Sequence, residues 1–139
     1  IQARKDPDGA NLDRIQVVKG WLDADGETHE QVFDVSWSDP GQRKPRADGK
    51  VPSVGSSVNE REATYTNTIG APTLTGYWKD PAFDPTQKAF YYVRVLEIPT
   101  PTWLAYDRKN YNLYDEMPET APYTSQERAY TSPIWYNPS

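Results

Sequence analysis

The sequence has no cysteine and a single histidine, His29. The first absence removes disulfides, zinc–thiolate sites and thiol catalysis together. The second removes nearly all chemistry that needs several imidazoles on one metal. Long apolar runs are also missing and the mean hydropathy is −0.87, so no segment reads as a transmembrane span. Basic runs are missing too: 15 Lys and Arg stand against 20 Asp and Glu. The net charge of −5 argues against nucleic acid and against an anionic membrane surface as partners. No helical stripe of ten or more residues and no internal repeat is visible. The chain opens at Ile1 without a charged and apolar leader, which reads as a processed chain or a piece of something longer.

What is present is aromatic. Five Trp, ten Tyr and three Phe in 139 residues are far from the composition of a disordered chain. They predict one folded domain over residues 1–139 with a small aromatic core. Thirteen Pro and eight Gly punctuate it with long loops. Residues 14–22 alternate with Ile15, Val17 and Trp21 on one side and Lys19 as an interruption. Residues 30–37 alternate with Phe33, Val35 and Trp37 on one side and Asp34 and Ser36 on the other. The short Asp-Gly turn between them predicts a β-hairpin. Residues 38–61 have no period and are expected to pack on a partner or another domain. Residues 62–69 and 73–79 are rich in Thr and aromatics and predict two further strands.

Residues 88–98 form the strongest strand pattern, apolar on both faces, as in a central strand covered on both sides. Arg94 and Glu97 interrupt those faces, and each needs a partner there. Residues 99–128 are rich in Pro, Tyr and acid, with room for a helical turn in 119–128. Residues 129–136 return to β character, and Pro133 confines them to an edge or a bulge. The expected fold is all-β: an antiparallel sandwich with long Pro-rich loops and little helix.

Candidate sites are few. His29 lies beside the hairpin turn and reads as a solvated turn residue. Asp6 and Asp8, and Asp23 and Asp25, each form a fragment of a calcium loop, so calcium is a candidate cofactor at either turn. Neither segment has the distant bidentate Glu of a complete loop. No Ser nucleophile motif is present, and carboxylate pairs cannot be recognised from spacing. Arg94 suits an anionic ligand, an adjoining domain or a structural ion pair. Trp103 and Tyr106, in a Pro-rich aromatic stretch, suit an interface or a substrate wall, and Arg128 joins them as a cationic candidate.

Four stretches carry a resemblance: residues 5–21 (KDPDGANLDRIQVVKGW), 63–70 (ATYTNTIG), 90–103 (FYYVRVLEIPTPTW) and 126–136 (QERAYTSPIWY). They resemble the C-terminal part of a bacterial family of unknown function numbered 3604, over nearly the whole chain. The YYVRV strand with the closing SPIW strand also resembles the β-sandwich appended to secreted metallohydrolases of the polymerase-and-histidinol-phosphatase type. The resemblance implies a periplasmic or extracellular protein. It implies a divalent metal held by an N-terminal region or chain, the partner of this domain. It leaves no catalytic residue in this chain, with Arg94, Trp103, Tyr106 and Arg128 lining substrate or an interface. The alternatives are a carbohydrate-binding module and a structural assembly module, including a homo-oligomer.

Overall fold

The computed structural model describes residues 1–138. The strands are β1 (Gln2–Arg4), β2 (Leu12–Leu22), β3 (Thr28–Trp37), β4 (Thr73–Thr75), β5 (Ala89–Glu97), β6 (Thr100–Pro101), β7 (Thr124–Ser125), β8 (Arg128–Tyr130) and β9 (Ile134–Tyr136). The one helix among the described residues is α1 (Trp103–Asn110). The fold is all-β and every ladder is antiparallel. The main sheet runs β3-β2-β5, and β8 and β9 share the far edge of β5. Pro133 falls between these last two short strands, where a missing N–H breaks no ladder.

The predicted hairpin forms, with β2 paired to β3 from Arg14↔Trp37 to Leu22↔Thr28. A register shift at Ile15/Gln16 accommodates one extra residue of β3. The ribbon β1-β4 makes the second layer. Its Ala3 and Leu74 pack on Leu12, Ile15, Val93 and Val95 of the main sheet. A second buried cluster joins Ala63, Ala105 and Tyr123, with Leu104 and Met117 against it.

Four expectations are corrected. The core is aliphatic rather than aromatic: Leu12, Ile15, Val17, Val18, Leu74, Leu96 and Ile98 are buried, and Tyr123 is the one large aromatic among the buried residues. Most aromatics instead lie half-buried or exposed. Residues 62–69 are not a strand. Side chains replace the ladder there: Asn67 Oδ1 accepts from the Asn11 N–H at 2.7 Å, and Asn11 Nδ2 donates to the Ile69 carbonyl at 2.9 Å. The central strand β5 is covered by a second layer on one face only. The helix lies at Trp103–Asn110 and not within 119–128. Pro101 ends β6, Thr102 takes extended N-cap geometry, and Arg108 and Lys109 sit in the last turn, where cations suit the helix dipole.

Residues 38–61 pack on their own chain. Arg43, 8% exposed, reaches Asp13 Oδ1 at 2.6 Å, Ser38 Oγ at 2.9 Å and the Pro52 carbonyl at 2.7 Å.

Lys19, the interruption in β2, is buried as half of an ion pair. Its Nζ lies 2.7 Å from Asp80 Oδ2 and donates to the Ala82 carbonyl at 2.8 Å. It also sits 4.9 Å from the centre of the Trp21 ring. Burial opposes ionisation of Asp80. The Lys19 ammonium, the Tyr91 hydroxyl and the Ala82 N–H outweigh it and hold the carboxyl below its ordinary 3.8. A carboxyl depressed on folding contributes stability above its unfolded value, and that contribution is lost as pH falls through the lower folded value. Thermal melts between about pH 6 and pH 2 check this. Asp80→Asn is expected to lower the melting temperature at pH 6 and to flatten its fall on acidification. An acid limb as steep as that of the unsubstituted protein would remove Asp80 from the account.

Candidate functional site: the open face of the main sheet

Strand alternation sends Phe90, Tyr92, Arg94 and Leu96 of β5 to the face opposite the β1-β4 ribbon. The register sets Trp135 opposite Phe90 and Tyr130 opposite Arg94 on that face. The rings form one continuous row. Trp135 and Phe90 are 5.2 Å apart between centroids, Phe90 and Tyr92 6.4 Å, and Tyr92 and Tyr130 6.2 Å. The Phe90 ring lies against Gly20, where a Cβ would come within 2.4 Å of it. Glycine in mid-strand therefore seats the row close to the backbone. Trp135 remains 67% exposed and Tyr130 57%.

A second row crosses the sheet at the end of the aromatic one. Asp34 on β3, Gln16 on β2, Arg94 on β5 and Tyr130 on β8 are consecutive cross-strand partners. Asp34 Oδ1 accepts from Gln16 Nε2 at 2.7 Å, and Gln16 Oε1 accepts from Arg94 Nε at 2.8 Å. Asp34 Oδ2 accepts from Arg14 Nη1 at 3.1 Å and the Val51 N–H at 2.7 Å. A cavity of about 440 Å³ opens over this row, and Arg14, Arg46, Lys50, Pro52 and Arg94 line it. The Arg94 partner expected from the sequence is thus Gln16, not a carboxylate.

The other predicted site residues lie elsewhere. Trp103 and Tyr106 sit on α1, 70% and 43% exposed, and neither lines the cavity at Arg94. Arg128 lies on β8 opposite Leu96 and lines a separate hollow with Lys5, Asp6, Glu97 and Glu127. There, burial pushes the Glu97 carboxyl up; the charges of Glu127 and Asp6 add to this and Lys5 opposes it.

Both candidate calcium turns use their own groups. The Lys5 ammonium donates to the carbonyls of Asp6, Pro7 and Gly9 at 2.7, 2.8 and 2.9 Å, the place a cation would take. Asp6 Oδ1 accepts from the Asp8 N–H at 2.9 Å. Asp23 Oδ1 accepts from the N–H groups of Asp25 and Glu27 at 3.0 and 2.9 Å, and Oδ2 lies 2.6 Å from His29 Nε2. The His29 bond, with the Glu27 N–H, holds the Asp23 carboxyl low. His29 itself stacks on Trp21 at 5.2 Å. Among the described residues no three of His, Asp and Glu come together as metal ligands. No helix among them is long and apolar enough to cross a membrane.

The family model described as "Protein of unknown function (DUF3604)" matches residues 1–138. The chain belongs to the DUF3604 family. No curated protein matches it, and no solved structure does. In this DUF3604 chain the sequence pointed to Arg94 but not to its surroundings. Those surroundings are Gln16, Asp34, Arg46 and Lys50 about the cavity, with Tyr130 and Trp135 in the ring row. The available signal was alternation: Asp34 and Gln16 both fall on the strand face opposite the apolar residues, and pairing the hairpin places them side by side.

Proposed function

We propose that this chain is a non-catalytic β-domain completing a secreted metal-dependent hydrolase, with its open sheet face forming one wall of the substrate cleft. The observation that carries the reading is the row from Trp135 through Phe90, Tyr92 and Tyr130 to Arg94. It joins an exposed aromatic surface, which suits burial against another surface or a ring, to an oriented guanidinium. The resemblance of the YYVRV strand (residues 91–95) and the closing SPIW strand (residues 132–135) to the β-sandwich of secreted metallohydrolases supports the same reading. The divalent metal, held by a region outside these residues, would supply an activated water for attack on a phosphate or sulfate ester. The part left to this chain is binding: Arg94 orients the anionic group and the ring row excludes water beside it.

The exposure of Trp135 and Tyr130 also favours a second reading, a carbohydrate-stacking surface on a stand-alone module. Ester hydrolysis by the longest native form of the protein, assayed with and without a chelator, separates the two. The first reading expects metal-dependent turnover. The second expects sugar-dependent tryptophan fluorescence and no turnover.

A further inference from the structure

We propose that Arg94, Arg46 and Lys50 form an oxyanion site, for a phosphate or sulfate group, over the Asp34–Gln16–Arg94 row. The inference names a ligand class for the open face on which the proposed function also rests, but it concerns this chain alone.

The charge balance around the cavity comes first. Asp13 and Asp34 are matched by Arg43 and Arg14, through contacts of 2.6 and 3.1 Å. Those four charges cancel. Three cationic lining residues remain, Arg46, Lys50 and Arg94, and among the described residues none of them has an ion-pair partner. Asp48, in the turn between Arg46 and Lys50, accepts from the Lys50 N–H at 3.0 Å and does not line the cavity.

Orientation comes second. Asp34 carries no proton to donate when ionised, so Gln16 must turn its amide N–H₂ toward that carboxylate. This fixes Gln16 Oε1 toward β5, where it accepts from Arg94 Nε at 2.8 Å. Arg94 is thereby anchored by one nitrogen, and no described residue accepts from its Nη1 or Nη2. A guanidinium held at Nε presents its remaining donors as a fork of fixed direction. Such a fork binds two oxygens of one oxyanion with less loss of side-chain freedom than a free arginine. Gln16 and Asp34 are positioning residues in this arrangement. Arg46 and Lys50, on the exposed turn, add their charge to the lining of the same cavity.

The test is a titration of the 139-residue chain with inorganic sulfate and with inorganic phosphate, followed by ¹H–¹⁵N resonances. Chloride at matched ionic strength is the control. Saturable shifts of the Arg94 Nε–H and the Gln16 side-chain amide are expected with both oxyanions and not with chloride. Arg94→Lys retains the charge and loses the fork, and is expected to bind about tenfold more weakly, as removal of charge-assisted hydrogen bonds implies. Gln16→Met is expected to weaken binding while the dispersion of the spectrum stays native. Identical responses to chloride and sulfate, or full affinity in a folded Arg94→Met variant, would overturn the site. Binding without any ester hydrolysis by the native protein would leave this site standing and remove the hydrolase reading. Metal-dependent hydrolysis with no anion response at Arg94 would overturn this site and the binding role given to Arg94, and would leave the hydrolase reading to rest on the ring row alone.

Discussion

Replacing Arg43 by methionine is expected to destabilise the chain by about 3 kcal/mol, near the lower end for breaking a buried ion pair. Arg43 joins three parts of the molecule that strand pairing leaves separate. Its Nη2 bonds Asp13 Oδ1 at 2.6 Å near the start of β2. Its Nη1 bonds the Ser38 carbonyl at 3.2 Å, just past β3, and its Nε bonds the Pro52 carbonyl at 3.2 Å in the long loop. Its own carbonyl accepts from Trp37 Nε1 at 2.9 Å. Methionine fills much of the volume but leaves Asp13, 1% exposed, with one oxygen unanswered. The loss is held to the low end because Arg14 Nε and Gln126 Nε2 still reach Asp13 Oδ2, at 3.1 and 3.0 Å. Urea denaturation measures the change, and amide exchange should rise across residues 38–61. A loss under about 1 kcal/mol, the range of a surface pair, would show that Arg43 does not organise the loop.

The second large effect is expected at Gly70. Its φ is +76°, and an added Cβ would lie 2.5 Å from Ile98 Cγ2, 2.8 Å from Asn11 Cβ and 3.0 Å from the Leu12 carbonyl oxygen. The neighbours have little room to yield, since Ile98 is fully buried and Asn11 is bonded on three sides to Asn67 and Ile69. A left-handed residue with a side chain costs about 1–2 kcal/mol. Overpacking against a core adds about 1–3 kcal/mol. Gly70→Ala should therefore lose about 2–5 kcal/mol in the same urea experiment. A variant within about 0.5 kcal/mol of the parent would mean that the Asn11–Gly70 junction relaxes freely.

These two residues mark where sequence reading ends. Alternation is a local signal, and it located β2, β3 and β5 with their turns, because each strand carries its own pattern. It also flagged Lys19 and Arg94 as charges out of place. Their partners come from distant segments: Asp80 lies beyond β4 for Lys19, and Gln16 is an uncharged neighbour for Arg94. Arg43 lies in an aperiodic stretch, where no alternation marks it as buried. Residues 62–69 have strand composition, yet Asn67 and Asn11 offer the backbone side-chain partners that no propensity scale weighs against a ladder. The aromatic residues misled for a related reason. Their number promised a core, but the main sheet has a second layer on one face only, and the rings of the other face remain at the surface.

Ester hydrolysis decides whether the open face of the main sheet walls a substrate cleft. The longest native form of the protein should contain stoichiometric divalent metal and hydrolyse a phosphate or sulfate ester in a chelator-sensitive way. Trp135→Ala in that form should reduce turnover with the metal content unchanged. Turnover unaffected by loss of Trp135, or a metal-free native protein with no hydrolysis, would contradict the account.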